Sequence, residues 1–158
     1  MITLYEPLAL DEGHTLLEIG AGSGYTIVIA REIVGAQGRV VCVEIDPETF
    51  KNAKTFIGNT GYTDIVLVLG DGYFGYPELS PYDRICITAA CEEIPPPLIE
   101  QLKNGGKLIA PVIKDGVQEI VLLEKGREGI TQEVIQGLEY DVPYVRMSGM
   151  NEQGERNK

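Results

Sequence analysis

Short runs rich in Val, Ile and Leu recur along the chain with helical or turn segments between them, and this constrains the fold more than any other feature. Such runs read as parallel strands covered on both faces. The pattern places four of them at 15–20, 40–45, 65–69 and 84–89, and a fifth at 107–112 after Asn104-Gly105-Gly106. The character then changes. Segments 118–124 and 130–138 are joined by the charged, glycine-containing EKGREG, which predicts an antiparallel pair closing one edge. The fold class is therefore α/β.

Helix signals fall between the strands. Asp46-Pro47-Glu48 offers an N-cap oxygen, a proline suited to the first helical position and an early acid. Phe50, Ala53 and Ile57 then share a face, and Gly58 or Gly61 ends the helix. Another helix is expected to follow Pro95-Pro96-Pro97 and end at Asn104-Gly105. Residues 25–29 contain Thr26, Ile27, Val28 and Ile29, which favour a strand by propensity, so a helix there rests on the glycine loop before it.

That loop lies in LLEIGAGSGY, where an apolar strand runs into Gly20, Gly22 and Gly24. Without Cβ atoms, a ligand can approach the backbone N–H groups closely. Such a turn can also be purely conformational, so the residues that follow carry weight. Glu44 ends the second strand about 20 residues on, where an acid can accept hydrogen bonds from two ribose hydroxyls; an exposed strand-end acid is the alternative. Asp46 competes for that role, but Pro47 beside it favours an N-cap. Asp71, in Leu69-Gly70-Asp71-Gly72, places a third acceptor at the same edge.

The spacing GxGxG departs from the dinucleotide fingerprint GxGxxG, and no lysine follows the loop as in a phosphate-binding P-loop. Acids around the site repel phosphates but suit a neutral nucleoside bearing a cationic centre. S-adenosylmethionine has that character.

Composition narrows the remaining classes. A chain of 158 residues suits one domain with a core that needs neither disulfides nor metal. No apolar run approaches the ~20 residues of a membrane span, and the start of the chain lacks a secretory pattern, so the expected location is the cytoplasm. The net charge of −11, with its basic residues scattered, argues against a nucleic-acid partner and favours a protein, peptide or small-molecule substrate. Cys42, Cys86 and Cys91 stand singly, two of them in apolar runs, and read as structural thiols. His14, in a polar turn, reads as a solvated loop residue, and no Cys/His cluster has metal spacing.

LLEIGAGSGY, RVVCVEID, VLVLGDG and YDRICITAACEEIPPPLIEQLKNGGKLIAPV together resemble the protein-L-isoaspartate O-methyltransferases, a branch of the class I S-adenosylmethionine-dependent methyltransferases. The resemblance extends to about Tyr144. It implies a Rossmann-like, doubly wound, seven-stranded sheet, mostly parallel with an antiparallel last strand. It also implies that Gly20, Ala21 and Gly22, in the loop that Gly24 completes, face the methionine part of the cofactor. Glu44 would face the ribose, Asp71 with Gly72 the adenine, and Thr88 with Ala89 the methyl group and substrate. Thr88 is thus the candidate catalytic residue, with strand termination as its plainer role; no metal is implied.

The family methylates isoaspartyl carboxylates in damaged proteins. The expected organisation is a methyltransferase domain over 1–150 and a polar tail over 151–158. Met1-Ile2-Thr3-Leu4 looks like the end of the family's first core helix, so the family's upstream substrate motif has no counterpart to carry over. Leu4, Leu8 and Leu10 would then form an exposed apolar patch that invites a homo-oligomer. A noncatalytic or divergent cofactor-binding domain is the alternative function, and a nicotinamide-dependent oxidoreductase a third.

Overall fold

The computed structural model describes residues 4–138. In chain order the elements are α1 (Tyr5–Leu8), β1 (Thr15–Ile19), α2 (Tyr25–Val34), β2 (Arg39–Glu44), α3 (Pro47–Asn59), β3 (Val66–Leu69), β4 (Tyr82–Ile87), α4 (Pro96–Glu100), β5 (Leu102–Lys114), β6 (Val117–Gly126) and β7 (Gly129–Val134). Two short 3-10 turns, Gly72–Phe74 and Pro77–Leu79, lie between β3 and β4. The seven strands form one sheet in the order β3-β2-β1-β4-β5-β6-β7. The first five are mutually parallel. The expected antiparallel closing pair is present, since β6 runs against β5 and β7 against β6. Among the described residues, no helix is long and apolar enough to cross a membrane.

Apolar side chains cover both faces, as the continuous strand runs require. Leu16, Val40 and Ile109 point toward α1, α2 and α3, whereas Leu17, Val41, Ile85 and Leu108 point toward α4 and the turns before β4. The α2 segment shows why propensity loses here. Its β-branched residues each cost at most ~0.7 kcal/mol in a helix, but burying one such side chain yields roughly 1.5–3 kcal/mol. Thr26, Ile27, Ala30 and Val34 fall at helical spacing and are all buried. Asp46 caps α3 as expected, its carboxylate accepting from Thr49 N at 2.7 Å, with Pro47 in the first turn. That bond holds the exposed Asp46 carboxyl below the usual carboxylate range.

Two expectations are corrected. The helix begins at Pro96, within the prolines rather than after them, and stops at Glu100, while β5 begins at Leu102 rather than at residue 107. Leu102 pairs with Tyr82 and Lys107 with Arg84, so Asn104-Gly105-Gly106 is an excursion inside the strand, not a helix end. Burial of Leu102 and Tyr82 fixes the early pairing, and Gly105, at φ +82°, accommodates the detour. Nor do the N-terminal leucines form an exposed patch. Leu4 and Leu8 are buried, and Leu10 is partly buried against the same core. The expected tail, 151–158, lies outside the described residues.

All three cysteines are reduced and buried, as structural thiols would be. His14 is half-buried, its Nδ1 accepting from Asp11 N at 3.0 Å. Where α2 turns into β2, a Cβ on Gly38 would lie 2.6 Å from the Val34 carbonyl oxygen and 2.7 Å from that of His14. Backbone atoms yield little, so Gly38→Ala is expected to cost about 1–3 kcal/mol. Thermal unfolding would show this as a fall of roughly 2–4 °C per kcal/mol. An unchanged midpoint would mean that the turn relaxes freely.

Candidate functional site

Sequence-proposed residues from four strands meet at one end of the sheet, where parallel strands deliver their carboxyl ends. The chain reverses direction of winding there, since β1 is flanked by β2 on one side and β4 on the other. Ligands bind open α/β sheets at such a switch point.

The three glycines between β1 and α2 do three different things. At Gly20 (φ +97°), a Cβ would strike Thr88 Oγ1, so the residue is bare because the end of β4 presses against it. A Cβ on Gly24 would lie 3.3 Å from the Ala53 carbonyl oxygen, so that glycine serves the approach of α2 to α3. Gly22 (φ +51°) has nothing within 4 Å of its missing Cβ. Its face of the loop is open to a ligand.

Glu44 is buried at the top of β2, with 7% of its surface exposed. One carboxylate oxygen, Oε2, accepts from Ala21 N at 2.7 Å, and the other accepts from Asp46 N at 2.9 Å. The acid therefore ties the glycine loop to the start of α3. A carboxylate offers about four lone-pair sites, so two acceptor positions remain. The Glu44 carbonyl accepts from Gly70 N at 2.9 Å, which brings the Asp71 turn alongside. Asp71 caps that turn by accepting from Tyr73 N at 2.9 Å. Gly72 packs so closely that a Cβ would meet Ile19 Cγ2, the last side chain of β1.

Thr88 closes the other side. Its hydroxyl donates to Ile19 O at 2.7 Å and lies 3.3 Å from Gly20 O. The hydroxyl is thus engaged in holding the start of the loop. Glu44, Asp71, Gly72, Thr88 and the glycine loop form one contiguous constellation through these contacts.

A model of the family described as protein-L-isoaspartate(D-aspartate) O-methyltransferase matches residues 1–152. The chain belongs to this family. A protein-L-isoaspartate O-methyltransferase from Methanococcus aeolicus is 41% identical over 144 residues, which is 91% of this chain and 66% of the relative. Protein-L-isoaspartate O-methyltransferase 2 from Archaeoglobus fulgidus is 43% identical over 124 residues, covering 78% of this chain and 56% of that one. The chain spans between half and two thirds of the length of these curated relatives. A solved protein-L-isoaspartate O-methyltransferase superposes with a TM-score of 0.84 at 31% identity, over 96% of this chain and 48% of that one. A Plasmodium falciparum structure described as a beta-aspartate methyltransferase in complex with S-adenosyl-L-homocysteine has a TM-score of 0.77 at 21% identity, over 92% and 70% of the two chains. At that identity it speaks for the fold.

Three features of this methyltransferase-family site escaped the sequence reading. Tyr25, Ile45 and Leu69 are large apolar residues left exposed at or near the ends of the loop, β2 and β3. Ile45 lies just past the end of β2 at Glu44, which frees its side chain from the sheet. Gln101, buried at the end of α4, donates from Nε2 to Phe74 O at 2.8 Å and accepts at Oε1 from Tyr76 N at 2.9 Å. It anchors the turn that carries Asp71 and Gly72. Glu18, just behind the loop, is an acid inside an apolar strand, and the break in LLEI was its signal.

Gln101→Leu would leave both backbone groups without their partner. The expected cost is about 2 kcal/mol of stability, with weaker binding of any ligand held by the Asp71 turn. Urea unfolding and ligand titration of the variant check both; unchanged values in each would remove Gln101 from the site's support.

Proposed function

We propose that residues 1–150 form an S-adenosylmethionine-dependent O-methyltransferase domain that transfers methyl to the carboxylate of isoaspartyl residues in proteins or peptides. The observation that carries the reading is the Glu44 carboxylate, fixed by Ala21 N and Asp46 N beside the open face of Gly22, with acceptor capacity left over. Family membership and the names of the curated relatives support the substrate class. The complex with S-adenosyl-L-homocysteine described for the Plasmodium protein supports the cofactor class.

The residues fit such a group. Glu44 would accept from the ribose hydroxyls, Asp71 and Gly72 would meet the adenine, and Gly20, Ala21, Gly22 and Gly24 would leave room for the methionine part. The exposed side chains of Ile45 and Leu69 offer apolar cover for a purine. When bound, S-adenosylmethionine supplies an electrophilic methyl group. A substrate carboxylate, with a reference pKa near ~3.9, is already deprotonated at neutral pH. The chain then has to orient the acceptor and exclude water rather than remove a proton. Thr88 would stand at the transfer end of the site and act by holding the loop. A cytoplasmic setting is in keeping with buried, reduced thiols.

The test is calorimetric titration with S-adenosylhomocysteine, followed in the same sample by methyl transfer to an isoaspartyl peptide. Binding with transfer is expected. Absence of binding would overturn the cofactor reading, and binding without transfer would replace the enzyme by a cofactor-binding domain of another role.

A further inference from the structure

Glu18 has no part in the constellation above, yet it lies two residues before Gly20 and is fully buried. It stands in register between Cys42 on β2 and Cys86 on β4, on the sheet face covered by α1 and α2. Among the described residues, no cation pairs with it. A bare carboxylate in such a place carries a heavy desolvation penalty.

Its hydrogen bonds indicate how that penalty is avoided. Thr26 Oγ1 donates to Glu18 Oε1 at 2.9 Å. Tyr5 Oη is within hydrogen-bond reach of Glu18 Oε2 and also lies 3.1 Å from the Thr26 carbonyl oxygen. A phenol has one hydrogen to give, and a carbonyl has none. If the phenol donates to Thr26 O, the contact between Tyr5 Oη and Glu18 Oε2 has a hydrogen only when Glu18 supplies it. A protonated Glu18 therefore completes a ring. Glu18 donates to Tyr5, Tyr5 donates to the Thr26 carbonyl, and the Thr26 hydroxyl donates back to Glu18.

The ring bridges the glycine loop. Glu18 lies before the loop, Thr26 lies in the first turn of α2 after it, and Tyr5 ties both to α1. We propose that Glu18 is a positioning residue for the glycine loop, acting as a neutral carboxylic acid that closes this ring and fixes the spacing of the loop's two ends. The proposal rests on the cofactor reading given above.

Burial pushes the Glu18 carboxyl up to about 7, against the lowering effect of the hydrogen bonds that Tyr5 and Thr26 can donate to its ionised form. The other titratable groups facing it are Tyr5 from α1, Cys42 from β2 and Cys86 from β4, while α2 presents Thr26. Burial raises all three of those pKa values, so they stay protonated where Glu18 titrates. Glu44 lies further along β2, two residues beyond Cys42. Ionised Glu18 would claim the phenol hydrogen, and the ring would open on the α2 side.

The experiment titrates S-adenosylhomocysteine calorimetrically into the wild type, Glu18→Gln and Glu18→Leu at about pH 6 and about pH 9. Infrared difference spectra at about pH 6 follow the C=O stretch of a protonated carboxyl group. Wild-type affinity is expected to fall about fivefold or more as the pH rises. Glu18→Gln, whose amide donates to Tyr5 and accepts from Thr26, is expected to match the wild type at low pH and to lack this fall; Glu18→Leu binds weakly throughout. Titration of the ligand itself is common to all three proteins. Identical pH profiles for the wild type and Glu18→Gln would overturn the proposal, as would the absence of a protonated-carboxyl band from the wild type that Glu18→Gln lacks. Failure of all three proteins to bind at either pH would instead overturn the cofactor reading, and the positioning role with it.

Discussion

Replacing Glu44 with alanine is expected to weaken S-adenosylhomocysteine binding by about a hundredfold or more. Hydrogen bonds to a charged acceptor contribute about 1.5–3 kcal/mol each, and each ~1.4 kcal/mol is tenfold in affinity. Losing the two ribose contacts proposed for Glu44 would therefore suffice, before counting the loss of order in the loop that Glu44 holds through Ala21 N. The conservative change is informative as well. Both Glu44 oxygens accept from backbone N–H groups, at Ala21 and at Asp46. A glutamine has one carbonyl oxygen, so its amide group must face one of those donors, at a cost of about 1–3 kcal/mol. Glu44→Gln is thus expected to lose both stability and affinity, although it has nearly the same shape. Calorimetry with thermal unfolding on the two variants checks this. Wild-type affinity in both would remove Glu44 from the ligand site and leave it as a loop brace.

The second large effect concerns stability and pH. Glu18 has its pKa raised from 4.5 to about 7 in the folded chain, so folding favours its protonated form. Its contribution is fully present below about pH 4.5 and is lost as pH rises through about 7. A shift of that size corresponds to about 3 kcal/mol. Other carboxyl groups also titrate at the acid end, which is why the difference between wild type and Glu18→Gln is the quantity to measure. The two proteins are expected to have similar stability near pH 4.5, and the variant to be more stable by about 3 kcal/mol near pH 8. At roughly 2–4 °C per kcal/mol, the unfolding midpoints would separate by about 6–12 °C. Parallel stability curves across that range would mean that Glu18 is charged in the folded protein.

These two acids divide the work around one loop. Glu44 grips it from the adjacent strand at the open edge, accepting from Ala21 N, and is the carboxylate proposed to meet the ligand. Glu18, fully buried, is the one proposed to hold it from within the core. Thr88 holds the remaining side through the carbonyls at the end of β1. A loop whose glycines allow close approach gains nothing for binding if it wanders. Preorganising it before the ligand arrives reduces the ordering cost of association.

The amino-acid sequence by itself determined the α/β class, the placement of the first four parallel strands, the presence of a fifth and the closing antiparallel pair, because strand periodicity and glycine punctuation are local signals. It also placed Gly20, Glu44, Asp71 and Thr88 at strand ends, and the Asp46-Pro47 cap at the start of α3, since each depends on immediate neighbours. Other features needed the tertiary structure. Leu102 joins β5 early because Tyr82 lies opposite it, and that partner is 20 residues away. Leu4 and Leu8 are buried because they pack against the apolar residues of the sheet face beneath α1. Tertiary contacts also separated the three glycines into one that meets Thr88, one that meets α3 and one that is open. Glu18 illustrates the same division: LLEI announces an acid among apolar neighbours, but its protonation depends on Tyr5 and Thr26 meeting it across the fold. Local propensity and spacing are written along the chain, whereas burial and hydrogen-bond partnership arise from residues that only folding brings together.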